Sequence, residues 1–163
     1  MNVVYEKIVL LIWRILPAYV ANAAPVIFVK QGHPLDLNRK FIDGKPIFGS
    51  GKTIEGFIIG VFFGVLAGIL QDQTNALRAV MLAIGAMLGD VAGSFMKRRL
   101  NIGRGKPAPI LDQTSFIIGA LLLSYNIEKY TLSEIIIIVI ITIPIHIISN
   151  KIAFMLRIKN VPW

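Results

Sequence analysis

The stretch Ala79-Val80-Met81-Leu82-Ala83-Ile84-Gly85-Ala86-Met87-Leu88-Gly89-Asp90-Val91-Ala92-Gly93-Ser94-Phe95-Met96-Lys97-Arg98-Arg99 decides the fold. Its first 11 residues carry no charge. At about 1.5 Å per helical residue they cover about 16 Å, barely half of a hydrocarbon core of about 30 Å. A membrane helix built on this run must continue through residues 91–96 to the cations at Lys97, Arg98 and Arg99. Asp90 then lies about 10 Å below the charged end of its own helix. A carboxylate at that depth is costly and normally faces a cavity, a partner or an ion.

The whole chain has the composition that such a helix needs. Of 163 residues 55% are hydrophobic and only 16% charged, against about 25% charged in soluble domains. This excludes a disordered chain, a solvated coiled coil and an ordinary cytosolic enzyme. With no cysteine, disulfides, thiolate catalysis and zinc–sulfur sites are excluded too. Lys and Arg outnumber Asp and Glu 17 to 9, for a net charge of +8. A nucleic-acid module of that charge would be far more polar; an integral membrane protein with basic loops on one side fits both numbers.

Five stretches are apolar enough to be spans, at residues 9–29, 54–70, 76–96, 108–126 and 134–156. Together they occupy most of residues 1–163, predicting one transmembrane domain without a soluble appendage. Glu6 and Lys7 cancel, and no small-residue cleavage site follows a short apolar run, so the first stretch reads as a retained span. Thirteen of the 17 cations fall in the segments around 30–53 and 97–106 and after residue 150. The positive-inside rule then predicts an outside N-terminus, a cytoplasmic C-terminus and a polar cavity open to the cytoplasm. The predicted fold is an all-α integral membrane protein of five transmembrane helices.

Other polar groups fall at similar depth. Asp112 precedes the uncharged run 113–127, about 22 Å of helix, which places it below the same boundary. Counting back from Lys30 puts Asn22 about 12 Å deep, and Pro25 frees the carbonyl of Ala21. Along the face of Asp90, Ser94, Lys97 and Arg98 follow at i+4, i+7 and i+8. A carboxylate, a hydroxyl and two cations on one stripe suit a magnesium–polyphosphate complex, because Mg²⁺ prefers oxygen ligands completed by phosphates and water. The plainer alternatives are structural ion pairs and a stop-transfer cluster on anionic headgroups.

Gly49-Ser50-Gly51-Lys52-Thr53 looks like the end of a phosphate-binding P-loop. The full pattern requires a glycine where Pro46 stands, and no strand precedes it, so a P-loop NTPase is rejected. Backbone amides, a lysine and a helix N-terminus still gather there as they do around anions; the alternative is a glycine-rich turn beside the membrane. His33 and His146 lack partners at metal-ligand spacing, and His146 reads as a satisfied interior histidine. Gly56, Gly60, Gly64 and Gly68 recur every four residues, the close-packing pattern of membrane helices.

Three segments together resemble the CDP-archaeol synthase family, which is distantly similar to bacterial CDP-diacylglycerol synthases. They are Pro17-Ala18-Tyr19-Val20-Ala21-Asn22-Ala23-Ala24-Pro25, then Asp36 with residues 43–56, and then residues 89–99 with Gly103 and Leu111-Asp112-Gln113-Thr114-Ser115-Phe116. The family often has Arg where this chain has Lys45. The resemblance implies a CTP-dependent cytidylyltransferase that converts unsaturated archaetidic acid (2,3-di-O-geranylgeranylglyceryl phosphate) to CDP-archaeol and pyrophosphate. Its partners would be CTP and a membrane lipid phosphate, with no nucleic acid and with a homodimer left open. In that reading Asp90 and Asp112 would hold Mg²⁺, and Lys52, Lys97 and Arg98 would bind the triphosphate. Asn22, Asp43, Gly49, Thr53, Ser94 and Gln113 would bind or orient the nucleotide. The competing class is a small ion- or proton-coupled transporter, which inverted repeats would support; five spans without a repeat argue against it.

Overall fold

Residues 3–163 are described by the computed structural model, which leaves the first two residues, and the exact placement of the N-terminus, outside the description. Within them the chain forms α1 (Val3–Phe28), α2 (Ile54–Gln71), a 3-10 turn (Gln73–Asn75), α3 (Ala76–Arg99), α4 (Leu111–Ser124) and α5 (Leu132–Met155). Four of these helices, α1, α2, α3 and α5, are long and apolar enough to cross a membrane. The fifth differs from the stretch 108–126 read from the sequence. With 14 residues, α4 is about 21 Å long and falls short of a full hydrocarbon thickness.

The shortening has a local cause. Pro107 and Pro109 keep the preceding segment out of helix, and Ile110 adopts φ 69°. The Leu111 amide donates to the Pro109 carbonyl at 2.8 Å, closing a γ-turn that a β-branched residue enters only under strain. The helix therefore begins directly beneath Asp112.

α1 runs unbroken through Pro17 and Pro25, and the carbonyls that these prolines release face α2. The Trp13 carbonyl, four residues before Pro17, accepts a 2.7 Å hydrogen bond from Gln71 Nε2 of α2. The Ala21 carbonyl faces Gly60 of α2, where an added Cβ would come within 2.8 Å of it. The glycine stripe of α2 thus lies against α1 and α3, as its spacing predicts, and Gly64 packs between Ala21 and Ala83. A second crossing joins α3 to α4. A Cβ on Gly85 would meet the Gly119 carbonyl at 2.5 Å, and one on Gly89 would meet the Ser115 carbonyl. Backbones this close leave no room for side chains, and they hold Asp90, the next residue, beside the start of α4.

The interior core comprises Leu11, Ile15, Leu82, Phe116, Ile117 and Ile138, while Ile58, Phe62, Leu70, Leu122 and Ile140 point outward. Apolar residues on both faces are what a bundle surrounded by hydrocarbon requires, because lipid rewards no polar exterior. The connections alternate ends. At the end with the α4–α5 connection, Arg14 binds Glu128 at 2.6 Å, Arg78 binds the same carboxylate at 3.4 Å, and Tyr130 donates to it at 2.9 Å. The opposite end gathers the 29–53 loop, the 100–110 loop and the tail after α5.

Candidate active site

The 29–53 loop is built around Asp36. The residue is 6% exposed, and its carboxylate accepts the backbone amides of Asn38, Phe48 and Gly49 at 3.0, 2.9 and 2.8 Å. Burial pushes this carboxyl up, and the amides of Gly49, Phe48 and Asn38 outweigh it, leaving its pKa below the ordinary value. Gly49 takes φ 85° and packs against the Arg98 side chain. The loop thereby delivers Lys52 to α3, where its Nζ meets Asp90 Oδ2 at 2.6 Å. Thr53 ends the loop as the N-cap of α2, accepting the Gly56 amide at 3.1 Å.

A second pair forms across α3 and α4. Lys97 Nζ donates to both oxygens of Asp112, at 2.8 and 3.0 Å, and to the Lys106 carbonyl at 2.9 Å. Asp112 Oδ2 also accepts the Ala108 amide at 2.8 Å. Both pairs line one cavity of about 1060 Å³. Six cations (Lys30, Lys52, Lys97, Arg104, Lys106 and Lys159) share its wall with two carboxylates, Asp90 and Asp112. An excess of four positive charges in a recess of that size suits a polyanion.

A family model described as CarS-like CDP-archaeol synthase matches residues 4–163. The chain belongs to the CDP-archaeol synthase family. It is 43% identical to the CDP-archaeol synthase of Methanocaldococcus jannaschii, over 98% of this chain and 99% of that one. With the CDP-archaeol synthase of Pyrococcus abyssi it shares 40% identity over the full length of both. A solved structure of an intramembrane enzyme for archaeal membrane-lipid biosynthesis superposes with a TM-score of 0.80 at 39% identity, covering 85% of this chain and 91% of the other. This chain is a multi-pass protein of the cell membrane, and these likenesses support the enzyme reading over a transporter.

Against the family's expected site residues, the structure divides the candidates into two groups. Asn22, Lys52, Thr53, Asp90, Lys97 and Asp112 line the cavity. Asp43, Gly49, Ser94, Arg98 and Gln113 stand behind or beside its wall. Asp43 meets Arg99 Nε at 3.1 Å, Ser94 Oγ donates to the Phe48 carbonyl at 2.9 Å, and Gln113 Oε1 is buried without a hydrogen-bond partner. Ser94 and Asp43 thus tie the glycine-bearing loop to α3. The C-terminal wall of the cavity, with His146, Asn150 and Lys159, is absent from the candidates read from the sequence. The spacing of His146 and Asn150 at i and i+4 was its one legible sign; Lys159 lies beyond the helix, and only the tail's fold-back brings it in.

Magnesium fits the donor set in a limited sense. Among the described residues no three acidic or histidine side chains cluster as a metal cage. Two carboxylates on one wall are what a hard cation uses when phosphates and water supply its remaining ligands.

Proposed function

We infer that the chain transfers CMP from CTP to the phosphate of an archaeal ether lipid, unsaturated archaetidic acid, releasing CDP-archaeol and pyrophosphate. The observation that carries this reading is the single cavity with six cations and two carboxylates at one end of a membrane bundle, in a chain alike over its whole length to CDP-archaeol synthases. A lipid-phosphate oxygen attacks the α-phosphorus of CTP, and the bond from that phosphorus to the bridging oxygen of the pyrophosphate breaks. The attacking oxygen is already ionised, so no general base is needed.

Catalysis then rests on placement and charge. Lys52 and Lys97 are fixed on the wall by Asp90 and Asp112 and neutralise the triphosphate and the charge that grows on the leaving pyrophosphate. Asp90 and Asp112 would hold Mg²⁺, which supplies charge neutralisation of the phosphate oxygens when bound. Asn22 and Thr53 would orient the nucleotide, with Ser94, Asp43, Gly49, Arg98 and Gln113 supporting the loop and α3 behind it. The basic end faces the cytoplasm, where CTP is, and five membrane helices include α4 as a short, partly inserted one. The described residues of one chain line the cavity, so a homodimer is not required to complete it.

The test is formation of CDP-lipid by the purified protein from CTP and the lipid phosphate, with and without Mg²⁺. Product that forms only with the metal supports the reading. Full turnover by Asp90→Asn or Asp112→Asn, where a loss on the order of 100-fold or more is expected, refutes the metal assignment.

A further inference from the structure

His146 is an interior histidine, as its surroundings in the sequence predict, but only one of its two ring nitrogens is satisfied. Nδ1 lies 3.1 Å from Asn150 Nδ2, one turn along α5. The Asn150 oxygen accepts from Lys159 Nζ at 2.9 Å. An ammonium can only donate, so the amide NH₂ is the group that faces the ring. That NH₂ brings hydrogens and no lone pair, so Nδ1 accepts. The ring is therefore neutral, with its proton on Nε2. Among the described residues this Nε2–H has no hydrogen-bond partner, and it is open to the cavity that His146 lines.

The depth of the group is matched to the chemistry. His146 lies about 14 Å of helix below Met155, where α5 ends. Asp90 lies equally far before Arg99, the last residue of α3, and both line the same cavity. Beneath the imidazole the floor is aromatic and closed. Its ring centre is 6.0 Å from that of Phe116, which is 5.8 Å from that of Tyr19. One turn deeper, Tyr19 and Thr142 share a 2.7 Å hydrogen bond that closes α1 on α5.

On the other side of that bond the two helices leave an apolar cleft. Val26 and Ile27 of α1 and Ile145 and Ile152 of α5 line the cavity there, and Val26, Ile27 and Ile152 are 39%, 52% and 50% exposed. His146 thus stands where the charged recess meets hydrocarbon. A donor held at that depth without a protein acceptor is costly unless a ligand supplies one.

We propose that His146 Nε2–H donates a hydrogen bond to a phosphate oxygen of the lipid acceptor, whose hydrocarbon chains leave through the cleft between α1 and α5. Asn150 is the positioning residue that keeps the proton on Nε2. The assignment rests on the cytidylyltransferase reading. Lys52 and Lys97, fixed by Asp90 and Asp112, take the triphosphate on the α3 side, which leaves the α5 wall for the acceptor. Water draws a lipid phosphate outward to the membrane surface, and a donor level with Asp90 holds it at the depth of the α-phosphorus. A neutral imidazole holds the attacking oxygen without protonating it. One fixed donor beside an exposed apolar cleft matches a ligand with one charged end and long apolar chains.

The experiment has two arms. The chain has two histidines, so His33→Gln protein carrying isotope-labelled histidine gives the ring-nitrogen NMR signals of His146 alone. These should place the proton on Nε2 in the empty protein, and dodecyl phosphate should shift the Nε2–H signal. Asn150→Ala should let the proton exchange between the two nitrogens. A proton fixed on Nδ1, or no response to dodecyl phosphate, overturns the assignment. The second arm measures KM separately for CTP and for the lipid phosphate. His146→Phe keeps a ring against Phe116 but offers no donor, and should raise the lipid KM by about tenfold or more with little change in the CTP KM. His146→Gln returns an amide hydrogen close to the Nε2 position and should recover most of that loss. A rise confined to the CTP KM would give the donor to the nucleotide and overturn the proposal, as would no change in either. Absence of turnover in the unmodified protein would count against the reaction itself, and the NMR arm would still decide the anion site.

Discussion

At the scale of single residues, the decisive question is whether the Lys–Asp pairs serve structure or chemistry. Lys97 and Asp112 have side chains 13% and 24% exposed, so removing one leaves its partner poorly solvated. Lys97→Met should destabilise the fold by up to about 3 kcal/mol, below the range for fully buried pairs because water still reaches the site. The double variant Lys97→Met with Asp112→Leu should recover much of that stability in a detergent melting experiment, yet have no transferase activity. Recovery of activity along with stability would make the pair purely structural. Asp36 poses a different case, because it lies behind the loop and touches nothing in the cavity. Its lowered pKa means that its stabilisation is complete above the unfolded-state value, about 3.9, and is lost as pH falls through the lower folded-state value. Hydrogen exchange of residues 34–50 should therefore accelerate in that acid window. Asp36→Asn should make exchange faster at neutral pH and nearly insensitive to pH there, with a cost of about 1–3 kcal/mol from the weakened amide bonds.

Between elements, the α3–α4 crossing determines where the two carboxylates stand. Gly89→Ala would drive a Cβ into the Ser115 carbonyl and to within 3.0 Å of Gly119 Cα. Backbone cannot yield as a side chain does, so the expected cost is about 1–3 kcal/mol or more, with activity falling as Asp90 shifts. Gly103→Ala, whose Cβ would find the flexible Lys106 side chain at 3.9 Å, should stay within about 0.5 kcal/mol, and the two melting curves compare the effects directly. The crossing marks how far the sequence could be read. The α2 glycines announce themselves by strict four-residue spacing, and Asp90 by its depth in an uncharged run. Gly85, Gly89 and Gly119 come from two helices, and no pattern along one segment reveals which of them will meet. α4 was read too long for a related reason: hydropathy continues smoothly through Ala108 and Ile110, whereas the helix start is set by the γ-turn between Pro109 and Leu111. Lys159 was hidden because its place depends on a chain reversal at Arg157, a residue type that gives no turn signal.

For the whole molecule, charge divides between the two ends of the bundle. The far end carries Lys7, Arg14, Arg78 and Lys129 with Glu6, Asp72, Glu128 and Glu134, and is neutral. All of the net charge of +8 therefore resides at the end with the cavity, where thirteen cations meet five acids. In the proposed reading two demands coincide there, since the same excess would retain that end in the cytoplasm and attract a triphosphate and a lipid phosphate. The neutral end is knitted by the Arg14–Glu128–Arg78 cluster, in which two arginines share one carboxylate. The absence of cysteine makes the resulting orientation directly measurable with single reporters. Asn126→Cys, in the exposed connection before α5, should react with a membrane-impermeant maleimide in intact cells. Lys40→Cys, in the exposed 29–53 loop, should react only after permeabilisation. The opposite labelling pattern would invert the molecule and place the cavity away from its nucleotide, so the orientation and the proposed reaction stand or fall together in that measurement.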